Sequence, residues 1–286
     1  MQKILYFFST KSMFQKEEGG EIPSNKEAYS SYLKMAWPCV LEALLLCMVN
    51  VIDTMMVGSL GETAIAAVGI TSQPRFLLLA IVFSLNVGIT AVVARRKGEN
   101  NREAANSILK GMLILSVILG IIIAFIGITF SKQLMNLAGA QEDYLQDAIM
   151  YFQIIAFGLF FQTINLMINA AQRGSGKTRI TMVTNMVSNI VNITFNYLLI
   201  HGKCGFPKLG VQGAAIATSL GCIVACTIAI SNLFYKKGYL NIYLAWKQKI
   251  TAHTFHSVVV VGSSAFVEQI FLRIGFMLYA IIVPSR

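Results

Sequence analysis

Charge is what this 286-residue chain has least of. Asp, Glu, Lys and Arg together make 13% of it, about half of the ~25% usual in soluble globular domains. Leu, Ile, Val, Phe, Met and Ala stand in their place, and hydrophobic residues reach 56%. They gather in nearly uncharged runs of about twenty residues or more, the length that crosses a ~30 Å hydrocarbon core. These absences exclude a soluble enzyme, a nucleic-acid-binding domain and a secreted disulfide scaffold. Paired cysteines are missing too. Cys39, Cys47, Cys204, Cys222 and Cys226 form no CxxC, and four of them lie inside apolar runs, so they read as small core residues rather than metal or redox groups. The polar N-terminal stretch holds only a five-residue apolar patch, Ile4 to Phe8. A signal peptide needs about 7–15 apolar residues and a small-residue cleavage site, so no cleavage is expected.

What is present is an integral membrane protein. Seven apolar segments run from Met35 to Gly58, Ala67 to Ala94, Ser107 to Phe130, Ala148 to Ala171, Ile180 to Leu199, Val211 to Phe234 and Ser257 to Val283. Each has helical length, and strands cross lipid only as closed barrels, so an all-α, multi-pass fold of seven transmembrane helices is expected. The formal charge of +10 belongs to the connections, not to one soluble face. Seventeen Lys and Arg fall on the side of the N-terminus and four on the other, with Arg75 and Arg273 inside segments. Cytoplasmic loops carry the excess of Lys and Arg, which predicts a cytoplasmic N-terminus in the plasma (inner) membrane. That orientation argues against a seven-helix receptor. A retinal protein is excluded by the lack of Lys between Ser257 and Val283.

The first and seventh segments resemble each other weakly. WPCVLEALLLC aligns with SSAFVEQIFLR, setting Glu42 opposite Glu268, and repeated halves are a transporter habit. The expected organisation is a cytoplasmic segment 1–32, a six-helix lobe 33–235, a cytoplasmic linker 236–255, and the opening helix of a second, truncated lobe over 256–286. On this reading the chain is a fragment of a larger transporter.

Polar residues inside the segments carry the functional signal. Glu42 and Asp53 on the first helix and Glu268 on the seventh are ionisable groups that cost about 2.5–3.5 kcal/mol each on insertion scales. Glu42 and Asp53 are 11 residues apart, three turns plus about 20°, and so share one face about 16 Å apart along the axis. Asn185, Asn189, Asn192 and Asn196 follow spacings of 4, 3 and 4 on the fifth helix, within an arc of about 60°. Such a stripe points to a hydrated interior; interhelical hydrogen-bond glue, about 0.6 kcal/mol per contact, usually needs only one or two such residues. Gln162, Asn165, Asn169 and Gln172 repeat the pattern on the fourth helix over about 80°. Carboxylate and amide oxygens are hard donors that suit Na⁺ or a proton, not soft metals. The GSGKT run at Gly174 to Thr178 imitates a phosphate-binding loop, but the required earlier glycine is Ala171 and no strand precedes it. It reads as a tight turn, with no nucleotide bound.

Four stretches resemble the multidrug and toxic compound extrusion (MATE) family of cation-coupled efflux transporters. They are WPCVLEALLLCMVNVIDTMMVGSLG, QRGSGKTRITM, NIVNITFNYLLIHGKCGFPKLGVQGAAIATSL and VEQIFLRIGF, and the likeness covers Leu33 to Val283. The resemblance implies twelve helices in two lobes, with this chain ending just inside the second. It implies no enzyme activity and no cofactor. It places a coupling site for H⁺ or possible Na⁺ at Asp53, Asn192, Asn196 and Thr218, with Asn196 standing where better-understood members have an acid. It also sets Glu268 at the cleft between lobes. The function it implies is an antiporter that exports small organic, often cationic, compounds. A lipid-linked oligosaccharide flippase of related architecture is the alternative, and would be expected to line its cavity with several Arg or Lys.

Overall fold

A computed structural model describes residues 25–236, 238–249 and 252–282. Residues 1–24, on which the expectation of an uncleaved N-terminus falls, and 283–286 lie outside the described residues. Among the described residues all regular structure is helical. Ten helices follow one another: α1 (Asn25–Gly58), α2 (Glu62–Ile70), α3 (Ser72–Gly98), α4 (Arg102–Thr129), α5 (Ser131–Ala138), α6 (Glu142–Gly174), α7 (Thr178–His201), α8 (Gly210–Leu233), α9 (Ile242–Lys247) and α10 (Ala252–Ile282).

Among the described residues six stretches are long and apolar enough to cross a membrane: α1, α2 with α3, α4, α6, α8 and residues 255–272 of α10. Of the seven expected segments, the fifth is missing from this set. Its helix, α7, is 24 residues long, as α8 is. Its four asparagines lower its hydropathy, and those same amides turn inward. Val183, Met186, Ile190 and Tyr197 are exposed on its other side, as expected where a helix back meets acyl chains. The second segment begins earlier than the sequence suggested and is broken at Thr71. Pro74 has no N–H for the Ile70 carbonyl four residues back and its ring crowds it, so the chain bends between α2 and α3; at the break Thr71 Oγ1 donates to Val68 O at 2.6 Å.

The helix ends follow local chemistry. Asn101 Oδ1 accepts from Ala104 N at 3.0 Å and caps α4, and Arg95, Arg96 and Lys97 occupy the last turn of α3, where cations complement the helix dipole. Gly176, at φ +77°, turns the chain out of α6, with Lys177 N donating to Gln172 O at 2.9 Å. The GSGKT run is therefore a helix C-terminus. Lys97 Nζ already bonds to its Ser175 carbonyl at 2.6 Å.

The centre of the bundle is α6, packed on α3, α4 and α8. Leu159, Met167 and Ile168 of α6 join Leu79, Ile89 and Ile108 in the core. α7 packs between α1 and α8, and α10 lies along α3, where Ser84 Oγ donates to Gly262 O at 2.6 Å. The linker between α8 and α10 is not a loose connection. Arg102 Nε donates to Tyr239 O at 3.0 Å, and its Nη2 to Gly238 O. Asn106 Nδ2 donates to Tyr239 O at 3.0 Å, while its Oδ1 accepts from Asn241 N at 3.0 Å. Ser107 Oγ donates to Lys249 O at 2.8 Å and Lys110 Nζ to Gln248 O at 3.0 Å. The first turns of α4 thus hold the linker by its backbone carbonyls.

Candidate cation site and substrate cavity

A cavity of about 730 Å³ opens between α1, α2, α3, α6, α7 and α8. The face of α1 that carries Glu42, Val49, Asn50 and Asp53 forms one wall. Asn185, Asn189, Asn192 and Asn196 of α7 all line the cavity, so the stripe read from spacing points into one space.

Asp53 is half-buried and bonded to the neighbouring helix. Asn196 Nδ2 donates to Asp53 Oδ1 at 2.8 Å. Asn192 completes the cluster. With its amide nitrogen turned toward the carboxylate, it donates to Asp53 Oδ1 and Oδ2 at 3.1 and 3.2 Å and accepts from Thr218 Oγ1 at 3.2 Å. Tyr151 of α6 lines the same cavity. Asn196 Oδ1 is buried without a protein partner. Asp53, Asn192, Asn196 and Thr218, distant in sequence, are thereby brought together as one carboxylate set among amide and hydroxyl oxygens. Among the described residues no three His, Cys, Asp or Glu converge as a metal centre. The oxygens around Asp53 suit a monovalent hard cation or a proton.

Glu42 stands at the far end of the same wall, buried. Asn185 Nδ2 donates to its Oε1, and Arg173 Nη1 reaches the same oxygen at 3.5 Å. Oε2 has no partner. On α6 the predicted stripe divides. Gln162 and Asn165 line the cavity, but Asn169 is buried behind it and donates to Asn165 Oδ1 at 3.0 Å. The reason is the close approach of α3 to the end of α6. Thr90 Oγ1 bonds to Ala170 O at 3.1 Å, and a Cβ on Gly174 would sit 2.5 Å from Thr90 O, so α3 closes over the lower stripe. Glu268 is exposed on α10, away from the cavity wall.

Two cavity residues were missed as site candidates. Arg75, in the first turn of α3, donates through Nη2 to Gln162 Oε1 at 3.0 Å. Its signal was legible, since an Arg inside an apolar run is as anomalous as an Asp. Tyr151 had no such signal among ten tyrosines.

The comparisons with known proteins agree with this architecture. The family model MatE matches residues 38–198. The chain is 29% identical over 230 residues to a probable multidrug resistance protein NorM of Thermotoga maritima, covering 80% of this chain and 48% of that protein. It is 29% identical over 212 residues to an FAD transporter of Shewanella oneidensis, covering 73% and 46%. Among solved structures, a multidrug resistance MATE family transporter in an outward-facing conformation superposes with a TM-score of 0.79 at 26% identity, over 86% of this chain and 54% of that one. The chain spans about half the length of these relatives. The helices and these likenesses together make it a multi-pass membrane protein, and it belongs to the MatE family.

Proposed function

We propose that the protein is the N-terminal part of a cation-coupled antiporter, which exports organic and xenobiotic compounds, often cationic, in exchange for H⁺ or Na⁺. Residues 33–235 form the six-helix lobe, 236–255 the cytoplasmic linker and 256–286 the start of a second lobe. The N-terminus faces the cytoplasm across the plasma membrane. The carrying observation is the cluster of Asp53 with Asn196 and Asn192 on the wall of a cavity large enough for a drug-sized molecule, within the ~300–1,000 Å³ typical of such sites.

Mechanism follows from competition. Asp53 holds either the coupling cation or a positively charged group of the substrate, but not both. Occupancy by one ligand favours one arrangement of the lobes and occupancy by the other a second, because a ligand shifts a conformational equilibrium by its differential affinity. Asn192, Asn196 and Thr218 supply the neutral oxygens and orient the carboxylate. Asn189 and Asn165 keep the pathway wet, and Glu42 with Asn185 guards its other end.

The flippase alternative needs a strongly cationic cavity. The described cavity wall has two Arg, Arg75 and Arg173, no more than its two carboxylates, Asp53 and Glu42, which supports the exporter instead. The test is efflux of a fluorescent organic cation from cells expressing the protein, with and without a protonophore or a Na⁺ gradient. D53N is expected to abolish gradient-driven efflux while the protein still accumulates in the membrane. Normal gradient-driven efflux by D53N refutes the assignment.

A further inference from the structure

We propose that Arg75 selects the charge type of the transported compound: its guanidinium takes an anionic group on the substrate while Asp53 takes the cationic one. The cavity then prefers zwitterionic amphiphiles to simple organic cations. This rests on the antiporter reading and deepens it.

Four described charged residues line the cavity, Glu42, Asp53, Arg75 and Arg173. Two are already matched, because Arg173 lies 3.5 Å from Glu42. The other two are not. Asp53 is held by neutral amides, and Arg75 bonds to the neutral Gln162 side chain at 3.0 Å. Among the described residues no carboxylate oxygen comes within 4.0 Å of Arg75. A guanidinium offers five N–H donors in a rigid fork that matches a carboxylate or phosphate, and a single acceptor at Nη2 leaves most of that fork unused.

Arg75 also reaches the cavity for a structural reason. It follows Pro74 directly, in the first turn after the break at Thr71, and Gln162 of α6 steadies it from the opposite wall. The site therefore presents one negative and one positive group to the same space. A simple cation drawn to Asp53 is repelled by Arg75, whereas a molecule with both charges satisfies each. The side chain that bonds to Asp53 at position 196 is a neutral amide, so Asp53 is the one negative charge of its cluster.

The test uses a matched pair of dyes, rhodamine B, which carries a carboxylate and a delocalised cation, and its ethyl ester, which carries the cation alone. Binding to the 286-residue chain in phosphatidylcholine nanodiscs is read by fluorescence anisotropy, with empty nanodiscs subtracted. Wild type is expected to bind rhodamine B at least tenfold more tightly than the ester. R75Q should bring the two within twofold by weakening rhodamine B without weakening the ester. D53N should weaken both. R75K, which keeps the charge but loses the fork, should fall between. Equal or preferred binding of the ester by wild type overturns the proposal, as does binding of neither dye or an equal loss of both in R75Q. The gradient-driven efflux assay reads the antiporter separately. If efflux is coupled but the dye ratio ignores Arg75, only this proposal falls; if the ratio holds but no gradient drives efflux, the antiporter reading falls.

Discussion

Replacing Asn196 by Asp tests the cation site directly. Asn196 Nδ2 lies 2.8 Å from Asp53 Oδ1, so N196D places a second carboxylate beside the first at the same point in the cavity. A unit charge about 4 Å from a bound Na⁺ contributes about 4 kcal/mol at an effective dielectric near 20. Desolvation of the new carboxylate offsets roughly half of that. About 2 kcal/mol remains, which is about thirtyfold in affinity. Binding to the folded state raises stability as RT ln(1 + [L]/Kd), so the measurement is thermal unfolding of the purified chain against Na⁺ concentration. In N196D the Na⁺ concentration that gives a set rise in stability should fall about thirtyfold, and the Na⁺-free protein should melt lower because two acids now face each other. The double variant D53N/N196D carries the wild-type charge with acid and amide exchanged, and should return the Na⁺ dependence to near the wild-type value. A single variant that responds to Na⁺ no more strongly than wild type refutes the site. So does a double variant that keeps the full gain.

Three further outcomes follow from the geometry. R173A leaves the buried Glu42 carboxylate without its cation and should lower stability by about 1–3 kcal/mol, the scale of a stranded polar group; E42Q/R173A should recover most of this in thermal unfolding, and failure of that rescue argues against the ion pair. G174A forces a Cβ to within 2.5 Å of Thr90 O and 3.0 Å of Val93 Cβ, so it should cost about 1–3 kcal/mol as overpacking does. G98A, with nothing within 4 Å, should be neutral or slightly stabilising by the same assay. R102A/N106A removes the donors that hold Gly238 and Tyr239 and should speed tryptic cleavage after Lys247 and Lys249 at least tenfold, with no change counting against the strap.

Much of this arrangement was legible because membrane physics makes polar residues conspicuous. Asp53 and the α7 asparagines stand out against an apolar background, and a 3.6-residue period assigns them to one face without coordinates. The same logic divided on α6. Gln162, Asn165 and Asn169 share a face by spacing, but which part of that face meets the cavity depends on where α3 crosses, and the crossing is set by Thr90 against Gly174. Thr71 shows a second limit, since the bend there follows from Pro74 three residues later. Arg75 was visible as a cation inside an apolar run, but nothing in the spacing names Gln162 of α6 as its partner. The contacts of Arg102, Asn106 and Ser107 with the linker run mostly to backbone carbonyls, which leave no trace in side-chain patterns.

That last feature bears on how the molecule can move. With Lys249 fastened to Ser107 at 2.8 Å and Gly262 fastened to Ser84 at 2.6 Å, α10 is moored to α4 and α3 at two points along its approach. Any swing of α10 away from them must be absorbed between those moorings or must sever one. A pivot at this edge is therefore a matter of two identifiable hydrogen bonds, not of a slack tether.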